Sequence, residues 1–154
     1  MDKIIDDSYY MKKALENAGI AFNIGEIPVG AVIVKDGEII SSGYNERETG
    51  KSATAHAELL AIERACKKLG SWRLHGCTLY VTLEPCPMCS GAIINSRIER
   101  VVCALKDPKA GALGSVLDMN SYPFNHKCRV EFGLMEKNAR QLLQDFFNLL
   151  RSKR

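Results

Sequence analysis

The chain has 154 residues, of which 46% are hydrophobic and 25% are charged, a composition that fits one soluble globular domain with a buried core. Its apolar runs are far shorter than the ~20 residues of a membrane helix, and the start Met1-Asp2-Lys3 lacks the basic region of a signal peptide, so we expect a cytoplasmic protein with no membrane contact. The net charge of +3 is compatible with an anionic partner without requiring one.

The first predicted elements are a helix and a β-hairpin. Ser8 can cap a helix that ends near Ala21, because apolar residues recur along this segment at helical spacing. Two β-rich runs, 28–34 and 38–44, flank an Asp-Gly pair that readily supplies the positive φ angles of a tight turn. Asn45 follows the second strand, where its amide either projects from the rim of the sheet or simply forms a turn.

Helices and strands then alternate. A helical pattern covers residues 55–69, a buried strand covers 79–83, a further helix runs through Ile94, and another strand covers 100–105. The order β-β-α-β-α-β predicts a sheet, partly parallel, with helices packed on it.

The remaining third of the chain contains loops and one strong helix. Residues 107–115 are small, Gly-rich and polar, which is typical of a loop, and Asn125-His126-Lys127 is a second polar cluster before a short apolar stretch at 130–134. From about Glu136 an apolar stripe predicts a helix. The basic end 151–154 can contact phosphate or remain solvated.

Only two of the six cysteines need a chemical role. Without a secretion signal, four of them are expected to be reduced and partly buried. These four are Cys66, Cys77, Cys103 and Cys128.

The other two cysteines and one histidine have the spacing of metal ligands. His56 lies at the start of the helix over 55–69, and Cys86 and Cys89 begin the next helix, where the helix dipole favours a neutral imidazole and thiolates. One imidazole and two thiolates leave a four-coordinate zinc with one open position, as in catalytic sites, whereas structural sites have four protein ligands. A lone Cys-x-x-Cys is often a redox pair and a lone His is often a core residue, so the prediction depends on the combination.

Glu58 stands two positions after His56, where its carboxylate can lie beside the metal without being a ligand. This is the position of a general base. The combination H-x-E…P-C-x-x-C is the signature of zinc-dependent deaminases. We therefore predict that His56, Cys86 and Cys89 bind zinc and that Glu58 is catalytic.

Further motifs extend along nearly the whole chain: EIPVGAV at 26–32, GYN at 43–45, TAHAE at 54–58, the segments 81–92 and 107–115, NH at 125–126 and DFF at 145–147. By these motifs the chain resembles the bacterial tRNA-specific adenosine deaminases. The zinc signature alone fits the whole deaminase superfamily, although a His as first ligand differs from the Cys of free-cytidine deaminases. One departure is Lys51-Ser52-Ala53, which replaces a more usual Asp-Pro segment and affects no ligand.

The resemblance implies one CMP/dCMP-type deaminase domain over residues 1–154, an α/β fold of the cytidine-deaminase-like type. That fold is a three-layer α/β/α sandwich with a mixed, roughly five-stranded central sheet. It also implies a homodimer with one Zn²⁺ per subunit that acts on a tRNA anticodon stem-loop, with no DNA partner. The implied reaction is the hydrolytic deamination of adenosine to inosine at the wobble position of the arginine tRNA anticodon, in which Glu58 transfers protons while an activated water attacks C6 of adenine.

Six further residues are implied as substrate contacts. By analogy with the family, Asn45 and the backbone of Ala57 bind the base. Asp107, Lys109, Asn125 and Phe146 lie where related enzymes contact splayed anticodon nucleotides. The alternatives are polar loop groups and, for the phenylalanine, core packing; stacking of a base on that ring is worth ~1–3 kcal/mol only if the ring is exposed.

Two other functions fit parts of the sequence. A deaminase of a free base or nucleotide, such as guanine or dCMP, shares the zinc chemistry but needs a closed pocket and no surface for RNA. A non-catalytic zinc module that binds RNA is the second alternative, and Glu58 counts against it because a structural site should offer a fourth protein ligand.

Overall fold

The structure is a computed structural model that describes residues 6–153; the start Met1-Asp2-Lys3 and the final residue of the basic end, Arg154, lie outside the described residues. Helices and strands alternate through most of this range. In chain order the elements are α1 (Asp7–Asn23), β1 (Gly30–Lys35), β2 (Glu38–Tyr44), α2 (Ala57–Leu69), β3 (Cys77–Val81), α3 (Pro87–Asn95), β4 (Arg100–Cys103), a 3₁₀ turn (Met119–Ser121), β5 (Arg129–Phe132) and α4 (Glu136–Ser152).

The strands form one mixed sheet in the order β2-β1-β3-β4-β5. Strand β1 is antiparallel to both of its neighbours, β2 and β3, whereas β3, β4 and β5 are parallel to one another. The parallel pairs are those joined by longer crossover connections, which parallel strands require. The predicted mixed, five-stranded sheet is therefore confirmed.

Alternate residues of the central strands contribute to two separate hydrophobic cores, one on each face of the sheet. Ile33 and Leu79 pack with α2 and α3 on one face, while Val32 and Tyr80 pack with α1 and with Ala139 of α4 on the other. Helices thus cover both faces, and the three-layer α/β/α sandwich is confirmed. No helix within residues 6–153 combines the length and apolar composition needed to cross a bilayer.

Local details of the N-terminal half agree with the sequence, with one correction. The hairpin turn has Asp36 at φ 51° and Gly37 at φ 77°, the two positive angles predicted for the Asp-Gly pair. The predicted helix cap at Ser8 is wrong: Ser8 lies inside α1, and the N-cap is Asp6, whose side chain accepts a hydrogen bond of 3.2 Å from the Tyr9 N–H.

Candidate active site

Two helix N-termini meet beyond the end of β3 and bring the predicted ligands together. His56 is the N-cap residue of α2 and Cys86 is the N-cap residue of α3, and neither uses its side chain to cap its helix. Pro87 occupies the first position of α3, where no N–H is needed, and Cys89 follows in the same turn. The cap geometry therefore leaves the imidazole and the thiol free to turn towards each other.

The three side chains form a compact cluster of one nitrogen and two sulfur atoms. His56 Nδ1 lies 3.6 Å from the sulfur of Cys86 and 3.6 Å from the sulfur of Cys89. All three donor atoms lie within 4.8 Å of one another, close enough to share one metal ion. The three predicted ligands thus lie together in one cluster that could hold a metal ion.

The ionisation of this cluster follows from its contacts. The hydrogen bond with Cys89, together with the one to His56, lowers the pKa of the Cys86 thiol to about 4. Glu58 is only 3% exposed, and burial raises the pKa of its carboxyl to about 7. The site therefore combines an acidic thiol with a weakly acidic, buried carboxyl group.

A cavity of about 280 Å³ opens over the cluster. His56, Cys86 and Glu58 line it together with apolar side chains and a small number of polar groups, as is typical of small-molecule sites. Its other lining residues are Ile27, Val29, Asn45, Arg47, Ala57, Leu83, Glu84, Asp107 and Ala110.

Three of the six predicted substrate contacts line this cavity. Asn45 is 7% exposed, and its side-chain oxygen accepts a hydrogen bond of 3.1 Å from the Arg47 N–H. Ala57 is buried at the first position of α2. Asp107 accepts hydrogen bonds from the N–H groups of Lys109 and Ala110, which fixes its carboxylate at the rim.

The other three predicted contacts lie outside the cavity. Lys109 lines a separate surface depression together with Arg140 and Arg151 of α4. Asn125 is exposed, in the connection that leads to β5.

Phe146 is buried. It is only 4% exposed and packs edge-on against Phe22 and Phe147. Phe146 therefore has no exposed ring for base stacking, although it lines a depression beside Asn45 and Arg47. Phe147, with 40% exposure, is the accessible aromatic side chain of the pair.

Sequence reasoning missed two charged residues of the cavity, Arg47 and Glu84. Glu84 carries a sequence signal that could have been used: it is a carboxylate in the short turn between a predicted buried strand and the helix that begins at Cys86. In the structure it is 2% exposed. A charged residue at such a point needs buried hydrogen-bond partners. Arg47 follows Asn45 in a polar loop and has no comparable signal.

Comparison with known proteins agrees with this geometry. The family model for MafB19-like deaminases matches residues 5–151. The tRNA-specific adenosine deaminase of Bacillus subtilis is 49% identical over 149 residues, which cover 96% of this chain and 92% of that protein. The enzyme of the same name from Aquifex aeolicus is 50% identical over 145 residues, covering 94% and 95%.

Solved structures give the same result. A structure from a study of A-to-I editing by tRNA:A34 deaminases superposes with a TM-score of 0.86 and is 42% identical, covering 88% of this chain and 99% of that one. A guanine deaminase from Nitrosomonas europaea shares the fold with a TM-score of 0.77 at 26% identity, covering 94% and 86%. The identity is higher and the superposition closer for the tRNA-acting protein. The chain therefore belongs to the MafB19-like deaminases and to the tRNA-specific adenosine deaminase family.

Proposed function

We propose that this protein hydrolyses adenosine to inosine at the wobble position of the arginine tRNA anticodon. The observation that carries the proposal is the convergence of His56, Cys86 and Cys89 with the buried Glu58 at one cavity. Among residues 6–153 no fourth protein ligand joins these three, which leaves a coordination position open, as a catalytic zinc site requires. Its 49% identity to a tRNA-specific adenosine deaminase supports the choice of substrate.

Zinc is the metal that the donor set fits. Tetrahedral zinc coordination separates a nitrogen ligand from a sulfur ligand by about 3.5 Å. His56 Nδ1 is 3.6 Å from each sulfur, so His56, Cys86 and Cys89 can hold the ion with little movement. Bound there, zinc supplies Lewis-acid activation of water at neutral pH.

Glu58 performs the proton transfers. Its carboxylate accepts a proton from the water that attacks C6 of adenine and passes it to the ring nitrogen. It then accepts the proton of the new hydroxyl group on C6 and passes it to the departing amine, as the C6 carbonyl forms. The products are inosine and ammonia. Because Glu58 is 3% exposed, bulk water has little access to the proton that it carries.

Asn45 and Ala57 bind the base. The Asn45 amide nitrogen donates to the Ile27 carbonyl oxygen at 3.3 Å, and its second hydrogen remains available to a purine acceptor. The N–H of Ala57 lies in the first turn of α2, where backbone N–H groups have no partner within the helix. Asp107 at the rim, with Lys109 and Asn125 outside the cavity, extends the RNA-contacting surface. Phe147, which is 40% exposed, takes the stacking role for which Phe146 is too deeply buried.

The active protein is a cytoplasmic homodimer of single-domain subunits over residues 1–154, with one zinc per subunit. Tyr122 and Phe124 are about half exposed, at 50% and 49%, and their ring centroids lie 6.0 Å apart. An exposed apolar cluster of this kind is suited to contact with a second subunit.

The test is a comparison of substrates with the zinc-loaded protein. Ammonia release should be fast with a synthetic arginine-tRNA stem-loop and undetectable with free adenosine, guanine or dCMP, and Glu58→Ala should abolish it. Release only from a free base or nucleotide would retain the chemistry and overturn the substrate. A zinc-loaded sample that is inactive on all four would support the binding-module alternative.

A further inference from the structure

Glu84 is a buried carboxylate that no step of the proposed reaction uses. It is 2% exposed and stands immediately before Pro85-Cys86, and it also lines the cavity. Its backbone N–H donates to the Leu105 carbonyl oxygen at 2.8 Å, which anchors the residue to the end of the sheet. The carboxylate therefore has a fixed position between the metal cluster and the segment that follows β4.

All four hydrogen bonds that this carboxylate accepts come from one loop, residues 107–115. One oxygen accepts the Asp107 N–H at 3.1 Å and the Ser115 hydroxyl. The other accepts the N–H groups of Leu113 and Ser115 at 3.0 and 3.1 Å. An ionised carboxylate has about four acceptor sites, so the loop satisfies the whole group.

No side-chain cation compensates this buried charge: the ion pairs among residues 6–153 do not include Glu84. The loop's backbone dipoles stabilise the anion instead, and the anion in turn holds three loop N–H groups in one orientation.

The loop also closes tightly around the carboxylate. A Cβ on Gly111 would stand 2.3 Å from the carboxyl carbon of Glu84, so only glycine permits this approach. The Ala112 N–H adds a direct bond of 2.9 Å to the Pro85 carbonyl oxygen, beside the ligand Cys86. The loop is thus joined to this turn twice, through the Glu84 carboxylate and through the Pro85 carbonyl oxygen.

The same bonds determine the position of the predicted RNA contacts. Glu84 holds the Asp107 backbone, and the Asp107 side chain accepts the N–H of Lys109 at 3.0 Å. We infer that Glu84 is a positioning residue that fixes the 107–115 loop as one wall of the cavity and thereby determines affinity for the anticodon loop. The inference rests on the proposed function for its substrate, but the hydrogen-bond network exists independently of any RNA.

Amide hydrogen exchange tests the network without substrate. In Glu84→Gln one acceptor oxygen becomes an NH₂ group that faces N–H donors, so exchange at Asp107, Leu113 and Ser115 should accelerate about tenfold or more. Ser115→Ala removes one of the four hydrogen bonds, the one from the Ser115 hydroxyl, and keeps the bond from the Ser115 N–H, so it should give a smaller acceleration. The matched control is Glu131→Gln, an exposed partner of Arg100 on β5, which should leave the loop unchanged.

RNA binding tests the consequence. On a Glu58→Ala background, which prevents turnover, Glu84→Gln should weaken stem-loop binding about tenfold, while zinc content stays at one per subunit. On the active background the same change should raise KM about tenfold with kcat within about threefold, because a binding wall and not the reacting groups has changed.

The outcomes separate the inference from the proposed function. Unchanged exchange and unchanged affinity in both Glu84→Gln and Ser115→Ala would overturn the inference, as would parallel loss of zinc and kcat in the two variants. If the wild type binds and deaminates no stem-loop, the proposed function fails, whereas accelerated loop exchange would still support the role of Glu84 in holding the loop.

Discussion

Gly43 of β2 lies directly against the first turn of α2, so that a Cβ at Gly43 would stand 2.4 Å from the carbonyl oxygen of Ala57. Strand and helix backbones are in contact here with no side chain between them. Because His56 and Glu58 flank Ala57, this contact fixes the height of both functional side chains above the sheet.

Gly43→Ala should therefore damage both the fold and the site. The added methyl group must push the start of α2 away from β2, and overpacking of this kind costs about 1–3 kcal/mol of the free energy of unfolding. The urea concentration at the midpoint of unfolding and the rate of inosine formation should both decrease. Gly19→Ala is the matched control: a Cβ at Gly19 of α1 meets nothing within 4 Å, and alanine should stabilise that helix slightly. Equal behaviour of the two variants would contradict this account of the β2–α2 contact.

Glu58→Ala and Glu58→Gln should keep zinc and lose turnover. In the proposed mechanism the carboxylate carries protons and is not a ligand, so the rate should fall by about 10²–10⁴ or more, while metal analysis gives the wild-type content. The glutamine variant keeps the shape of the side chain and separates loss of charge from loss of packing. Complete loss of zinc in either variant would mean that Glu58 is a zinc ligand and not the base.

Cys86→Ala should release the metal. Two protein ligands hold zinc far less well than three, so zinc per subunit should fall towards zero and the thermal midpoint should decrease, because bound metal stabilises the native state. Cys66→Ala is the matched control, since Cys66 is a free cysteine of α2 that contacts the Trp72 carbonyl oxygen and lies outside the cluster. An unchanged zinc content in Cys86→Ala would exclude it as a ligand.

Asp7 should contribute stability that depends on pH. Hydrogen bonds of 2.9 and 2.6 Å from Arg100, and a further one from the Tyr80 hydroxyl, hold the pKa of the Asp7 carboxyl below its usual range. A group whose pKa is lower in the native state stabilises it above the unfolded pKa of about 3.9, and this contribution disappears as the pH falls through the native pKa.

Asp7→Asn should therefore be less stable than wild type at pH 6, by about 1 kcal/mol or less because the carboxylate is 40% exposed. Urea unfolding across the acid range should show the difference closing as the pH falls from the unfolded pKa of this carboxyl through its lower native pKa. In an Arg100→Gln background the difference should be small at every pH. A difference that persists in that background would assign the stability to some contact other than the ion pair.

The clustering of His56, Cys86 and Cys89 could be predicted because its determinants are local. His56 and Cys86 each begin a helix after a strand or loop with clear boundaries, and Pro87 marks the first turn of α3. Short-range spacing then places Glu58 and Cys89 on the same side as these residues. The hairpin was equally predictable, since an Asp-Gly pair specifies its turn.

The burial of Phe146 and the role of Glu84 could not be predicted from the sequence, because both depend on long-range contacts. The helical stripe of α4 contains Phe146 and Phe147 side by side, and only packing against Phe22 decides that the first is buried and the second exposed. Glu84 is surrounded by N–H groups more than twenty residues away in the chain, so its role becomes visible only when the 107–115 loop is folded over it. The substitution at Lys51-Ser52-Ala53 has no structural explanation here.

The most direct test of the wobble-adenosine assignment is to locate inosine in the RNA product. Two arginine-tRNA stem-loops, one with adenosine and one with guanosine at the wobble position, should be incubated with the zinc-loaded protein and mapped nucleotide by nucleotide by mass spectrometry. Inosine at the wobble position of the first RNA, with every other adenosine in both RNAs unchanged, is the predicted result. Inosine at other adenosines, or an intact wobble adenosine with a fully metal-loaded protein, would contradict it.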